Sequence, residues 1–299
     1  MKKKLQNFIF VLIFIAGLSL LLYPYISNEW NTYRQNQLIT SYDDAIKEID
    51  DEIDYSAEWE SAYAFNNALL PAILPDSFAI AAADGEPDEE YMANLNLLGD
   101  GMMGSVEIPK INIKIPIFHT TTQEVLQISA GHLEGSSLPV GGENTHAVIS
   151  AHRGLPSAAL FTDLDMLKEG DHFFLHILDD ILCYEVDQIL IVEPEDTDAL
   201  AVQSGEDLVT LLTCHPYGVN SHRLLVRGHR VEYTPEIAEQ EAANNFLNPS
   251  LHTNYLLWVL IGLGITFLVI VILTIRERRI RKNMIAIKKA VEEITQAKE

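Results

Sequence analysis

The run Leu208-Val209-Thr210-Leu211-Leu212-Thr213-Cys214-His215 is apolar and stops at a cysteine. Pro216, Tyr217 and Gly218 mark a turn, Asn220, Ser221 and His222 follow, and a second apolar run starts at Arg223. Short apolar runs bounded by turn residues read as strands. If the second strand is the neighbour of the first, the Arg223 guanidinium lies beside the Cys214 thiol. A nearby cation favours the thiolate, which is the reactive form. Arginine also offers fixed N–H donors to an oxyanion or a substrate carbonyl. The plainer alternatives are a buried cysteine and a surface strand arginine.

Upstream, Ile149-Ser150-Ala151-His152-Arg153-Gly154 is another strand end, this time closing on a histidine. A cysteine nucleophile needs a partner that exchanges protons near neutral pH, and histidine suits that task. With ten histidines in the chain, position alone does not single out His152. His215 follows the cysteine directly, but neighbours in a strand point to opposite faces. Cys183, within Ile181-Leu182-Cys183-Tyr184, reads as strand core. The two cysteines are too few for a disulfide scaffold; either they pair or at least one carries chemistry. No CxxC-type metal cluster is present, and no metal is expected.

More strands are expected at 146–151, 172–178, 181–192, 207–213 and 223–232, with turn signals at Gly141-Gly142, Gly170-Asp171, Asp179-Asp180 and Ser204-Gly205. Residues 104–118 alternate Val106, Ile108, Ile111, Ile113, Ile115 and Ile117, interrupted by Pro109 and Pro116, which belong at edges or bends. A short helix is expected over 157–168. Short strands and regular turns predict a mainly β barrel or sandwich. Residues 38–70 read as helical, with Ile46, Ile49, Ile53 and Ala57 on one stripe and a solvated acidic face, up to Pro71 and Pro75. Residues 76–104, with an alanine run, Gly85 and Pro87, read as a long loop.

The chain has 299 residues, a hydrophobic content of 48% and a net charge of -23. That excludes wholesale disorder, and the acidity argues against nucleic acid as a partner. The charge is uneven: residues 1–26 carry three lysines and no acid, and residues 276–299 carry eight basic groups and four acids. The stretch between them has 9 basic against 39 acidic groups. Residues 8–22 form an apolar run after Lys2, Lys3 and Lys4, and Tyr23, Pro24 and Tyr25 follow it. It is a signal peptide or an anchor, and the lack of a clear small-residue cleavage site favours an anchor. Residues 255–275 hold no charge and are long enough to span a bilayer; Arg276, Arg278, Arg279, Arg281 and Lys282 follow. Both basic flanks belong on the cytoplasmic side, which places the segment from about 27 to 254 outside the cell.

Thr210-Leu211-Leu212-Thr213-Cys214 with Arg223 resembles the signature of the sortase family, and Ser150-Ala151-His152-Arg153-Gly154 resembles its histidine motif. Segments 104–118, 131–142, 152–165 and 210–230 resemble the pilin-polymerising branch, class C, and two membrane spans fit that branch. The resemblance implies a closed β-barrel with N-terminal helices and a lid loop, flanked by two transmembrane helices. It divides the chain into an anchor or signal segment (1–26), a helical region and lid (27–103), a catalytic barrel (104–235), a linker (236–254), a transmembrane helix (255–275) and a basic cytoplasmic tail (276–299).

It also implies a cysteine transpeptidase of the Gram-positive cell surface with His152, Cys214 and Arg223 as the catalytic set, and Thr210, Leu211 and Thr213 beside them in the motif. Its substrates would be pilin subunits with a Leu-Pro-x-Thr-Gly-like sorting signal and an acceptor lysine, and no cofactor is required. The rival readings are a sortase that attaches proteins to cell-wall peptidoglycan, a cysteine protease, and a catalytically silent membrane-tethered assembly module. Class C lids carry an Asp-Pro-aromatic motif; here Leu74-Pro75-Asp76-Ser77-Phe78 has a serine in place of the proline. That substitution puts the rigidity of the lid in question, because proline would have fixed its backbone. The same five residues also resemble a sorting signal, so the lid is a candidate tethered pseudosubstrate. Leu74 and Pro75 would then fill substrate subsites, with Asp76 or Phe78 over Cys214. The alternative is that Pro75 only ends a helix.

Overall fold

The alternation at 104–118 resolves into two strands joined by a 3-10 turn, Pro109–Ile111, which starts at the first of its two prolines. A computed structural model of the protein describes residues 2–48, 55–69, 74–80, 87–245 and 251–296. The elements in chain order are α1 (Lys2–Glu48), α2 (Ser56–Ala68), α3 (Ser77–Ile80), α4 (Glu89–Ala93), β1 (Met102–Ile108), β2 (Ile113–His119), α5 (Gln123–Leu126), β3 (Ala130–His132), β4 (Thr145–Ser150), β5 (His172–Ile177), β6 (Asp180–Val192), β7 (Asp207–His215), β8 (His222–Val231), α6 (Pro235–Asn245) and α7 (Leu251–Gln296). The strands close into a barrel in the order β1-β2-β3-β4-β7-β8-β6-β5.

Pro116 is tolerated inside β2 because it pairs only with Ser105 of β1; the ladder to β3 begins at Ile117. The short β3 gave no alternation in the sequence. The helix expected at 157–168 is instead a loop with one 3-10 turn, Leu164–Met166. The described residues of 38–70 fall in two helices, the end of α1 and α2, with Tyr55 and Leu69 beside α2. Residues 49–54, Pro71, the alanines at 81–83 and Gly85 lie outside the described residues. The loop expected at 76–104 contains two short helices, α3 and α4, and the start of β1.

Strand β7 is buried on both faces, which explains its nearly unbroken apolar run. On the inner face Val209 and Leu211 join Val106, Ile117, Phe173, Leu175, Leu224 and Val226 in the barrel core. Gly228 leaves room for the Phe173 ring, which a Cβ there would meet at 2.7 Å. On the outer face Leu212 joins Leu133, Val148, Leu200 and Leu225 in a second apolar cluster, packed with Leu190 and Val192 of β6. Burying one such side chain stabilises by about 1.5–3 kcal/mol.

Two helices carry segments long and apolar enough to cross a membrane, within Leu12–Lys47 and Leu257–Ile287. Helix α7 is a separate compact unit; α1 belongs to the unit that contains the barrel. The second half of α1 lies along the barrel wall, where Ile39 and Tyr42 pack with Met102. The Tyr42 hydroxyl donates to the Met103 carbonyl at 3.0 Å and accepts from the Leu178 amide at 3.2 Å. Helix α2 is clamped by Asn66, whose side chain donates to the Leu138 carbonyl and accepts from its amide.

Candidate active site

Three strand ends meet at one edge of the outer apolar cluster. Antiparallel pairing of β7 with β8 sets Cys214 directly opposite Arg223. Parallel pairing of β4 with β7 sets Ser150 level with Leu212. The Ala151 amide still donates to the Leu212 carbonyl at 3.2 Å, and the Thr213 hydroxyl donates to the Ala151 carbonyl at 2.8 Å. Carrying this register two residues further brings His152 level with Cys214. Residues level in neighbouring strands share a face. Cys214 lies opposite Arg223, and the Phe78 ring meets both His152 and Arg223, so the three residues gather at this edge as a row.

The lid covers that row. Asp76 grips Arg223 through two parallel bonds, Nε to Oδ1 at 2.6 Å and Nη2 to Oδ2 at 2.7 Å. Such a forked pair fixes both position and orientation. The remaining Arg223 nitrogen, Nη1, donates to the Asn220 and His222 carbonyls. The Phe78 ring lies 5.2 Å from the His152 ring and 5.1 Å from the Arg223 Cζ, so one aromatic spans both flanks of the thiol. Leu74 is buried in the outer cluster with Leu133, Val148, Leu200, Leu212 and Leu225, while Pro75 is exposed.

Ser77, which stands where the lid motif has proline, is fully buried. Its hydroxyl accepts from Ser150 at 2.8 Å, and its carbonyl accepts from the Thr121 hydroxyl at 3.1 Å. Hydrogen bonds to the barrel thus hold the lid backbone where the motif's proline would have restricted it internally. The Asp76 carboxylate also accepts from the Ala79 amide, capping α3.

Cys214 is 7% exposed. Burial pushes its thiol up, the Arg223 guanidinium pulls it down, and the Asp76 carboxylate pushes it up again, with a net rise. Burial holds the His152 imidazole below the ordinary histidine value. The hydrogen bonds that Arg223 donates to Asp76 stabilise the charged form of the guanidinium. Burial thus disfavours the charged forms of both the Cys214 thiol and the His152 imidazole, and the Asp76 carboxylate occupies the guanidinium.

The other motif residues are built into the scaffold. The Thr210 hydroxyl pairs with His146 Nε2 at 2.7 Å, Leu211 lies in the barrel core, and Thr213 ties β7 to the end of β4. His215 points away from the row and meets Arg153 Nη1 through Nδ1 at 3.0 Å; Arg153 also pairs with Asp165. Gly154, at φ +77°, lies under the Tyr217 ring, which a Cβ there would meet at 3.1 Å. These contacts join the loop after β4 to the turn after β7. Sequence reading missed the Ser77–Ser150 and Arg153–His215 contacts; the serine that departs from the lid motif and the histidine next to Cys214 were their only signals.

The Sortase domain family matches residues 106–231. Sortase C of Streptococcus pneumoniae, a solved structure, is 48% identical, with a TM-score of 0.60 over 66% of this chain and 98% of that one. Sortase C1 of Streptococcus agalactiae is 45% identical, with a TM-score of 0.58 over 66% of this chain and 100% of that one. Sortase D of Bacillus subtilis (strain 168) is 32% identical over 131 residues, which are 43% of this chain and 63% of that protein. With this barrel, this motif match and these neighbours, the chain belongs to the sortase family, and its structural neighbours are class C sortases.

Proposed function

We propose that the protein is a membrane-anchored transpeptidase that joins pilin subunits. Members of the family are cysteine transpeptidases, and the pneumococcal neighbour is described in terms of pilin substrate specificity. The observation that carries the reading is the row His152–Cys214–Arg223 closed over by Asp76 and Phe78.

In the proposed cycle the lid swings away and a Leu-Pro-x-Thr-Gly-like signal takes its place. His152 takes the thiol proton as the Cys214 Sγ attacks the threonine carbonyl, the Thr–Gly bond breaks, and the glycine amine leaves with that proton from His152. Arg223, freed from Asp76, donates to the carbonyl oxygen as it gains negative charge. The acyl group is then a thioester on Cys214. A lysine amine of another pilin attacks that thioester and gives its proton to His152. An isopeptide bond forms, and the thiolate of Cys214 departs. Splitting one acyl transfer into two steps is the gain of covalent catalysis.

The lid serves as a tethered pseudosubstrate in this reading. Leu74 fills an apolar cup level with the catalytic row, where the leucine of the signal would bind. A tethered segment competes at high effective concentration, so modest affinity keeps the site closed.

Intact-mass spectrometry of the full chain in detergent, with a signal peptide and a lysine-bearing pilin domain, tests the proposal. The expected result is an acyl adduct on Cys214 that passes to the pilin lysine. Release of the adduct only to water, or only to a peptidoglycan-type amine, overturns the pilin assignment.

A further inference from the structure

The barrel has two ends, and the strand directions sort its loops between them. Strands β1, β4, β6 and β7 run toward the end that carries Cys214; β2, β3, β5 and β8 run away from it. The 3-10 turn Pro109–Ile111, the residues before β3, the loop from β4 to β5 and the turn from β7 to β8 therefore all lie at the catalytic end. The turn from β5 to β6 and the start of β1 lie at the opposite end.

Helix α1 crosses the wall between those ends in a defined direction. The Asn28 side chain accepts from the Ala159 amide at 2.7 Å, and the Asn31 side chain donates to the Ser157 carbonyl at 2.7 Å. Both partners lie in the loop after His152. Gln35 donates to the Ile128 carbonyl, just before β3, at 2.6 Å. Further along, Tyr42 bonds Met103 and Leu178, at the opposite end. The helix thus enters at the catalytic end and leaves at the far end.

The length of α1 relates this direction to the bilayer. From Leu5 to Ile26 the helix spans about 33 Å at 1.5 Å per residue, against a hydrocarbon core of about 30 Å. Asn28 and Asn31 follow at about 3 and 7 Å beyond Ile26, within a headgroup layer about 5–7 Å deep. Trp30 and Tyr33 on the same stretch are exposed and pack together, as aromatics do at a membrane interface.

The second chain exit agrees. Strand β8 ends at the far end, and α6 carries the chain back: it lies against the turn Pro109–Ile111, and its Glu241 meets His172, the first residue of β5, at 2.9 Å. The element that precedes α7 in the chain is therefore also held at the catalytic end.

We infer that the catalytic end of the barrel sits on the outer surface of the membrane, with the turn between β7 and β8 in the lipid headgroup layer. This rests on reading α1 as a membrane span. That turn presents Tyr217 and Val219 at 53% and 69% exposure, next to the loop clipped by Asn28 and Asn31. An aromatic and a β-branched residue left open at this level fit the mixed polar and apolar layer of lipid headgroups. The face commits to lipid rather than to a protein partner because the anchor holds it there continuously. Substrate then enters along the bilayer surface, and a peptide tethered in the same membrane meets the thiol at its own level.

The test uses the full chain in nanodiscs of mixed zwitterionic and anionic phospholipid, in a Cys214→Ala background. Single fluorophores are placed at Gly17→Cys, Val219→Cys and Asp180→Cys, and quenching by lipids with a nitroxide on the headgroup or deep in the acyl chain is measured. Asp180 is exposed at the far end of the barrel. The expected result is quenching at 17 by the deep nitroxide, quenching at 219 by the headgroup nitroxide, and several-fold weaker quenching at 180. Deep quenching at 17 with equal values at 219 and 180 overturns the orientation while leaving the anchor intact. Absence of deep quenching at 17 removes the membrane reading on which it rests.

Discussion

The chain carries two thiols in one barrel, in different surroundings. Cys183 of β6 and Cys214 of β7 are separated by β8, which pairs with both. Both are buried. Each has an arginine of β8 that pulls its thiol down, Arg230 for Cys183 and Arg223 for Cys214. Burial nevertheless pushes Cys183 up to about 11. Cys183 alternates with the core residues Leu182 and Tyr184, which places it on the outer face of the barrel, where Glu241 of α6 pushes its thiol up further. The cover of Cys214 is a separate segment, held by one forked ion pair, one apolar side chain and a few hydrogen bonds. A nearby cation is therefore common to both thiols; the segment that holds the arginine through Asp76 is particular to Cys214.

The comparison breaks most sharply on the thiols themselves. Cys214→Ala is expected to abolish both native-state alkylation by iodoacetamide and the acyl adduct, while Cys183→Ala leaves both in place; intact mass reads each outcome. Modification of Cys183 at a similar rate in the folded protein would erase the distinction. Removing one charge of the cover comes next. Asp76→Asn takes away the carboxylate that pushes the Cys214 thiol up and loosens its hold on Arg223. The midpoint of the alkylation rate against pH should move down, and a shift of one unit gives about a tenfold rate gain on the acid side of it. An upward or unchanged midpoint would show that Asp76 does not govern the thiol. The smallest effect is expected from the apolar part of the cover. Leu74→Ala with Pro75→Ala removes about 2–3 kcal/mol of burial, and labelling of Cys214 should speed by several-fold with the pH midpoint little changed. Unchanged labelling would sink the pseudosubstrate reading of the lid.

The same contrast explains what was legible in the sequence. The Cys214–Arg223 pairing follows from two strands and the turn between them, so local pattern sufficed. His152 showed as a strand end, but its level with Cys214 depends on a parallel ladder between strands far apart in the chain, which no local pattern reports. The barrel core followed from β-branched alternation, whereas β3 was too short to alternate. The cover was legible only through family resemblance. Its serine looked like a loss of rigidity because its partners, Ser150 and Thr121, are remote in sequence. The path of α1 along the barrel was hidden for the same reason: Asn28 and Asn31 carry no signal until the loop at 157–159 is beside them.

The unbroken run of α1 from its apolar half to the Asn28 and Asn31 clip makes the protein sensitive to phase. A helix turns by about 100° and rises about 1.5 Å with each residue. With α1 as the proposed anchor, one residue inserted after Ile26 would lift the barrel scarcely at all yet swing it about a quarter-turn, carrying the cysteine away from any fixed neighbour in the membrane. Seven inserted residues would return the facing to within about 20° while raising the whole domain by about 10 Å. Azimuth and height are thus separately adjustable through the length of one helix, and the rate of the proposed pilin-joining reaction across such an insertion series would show which of the two matters.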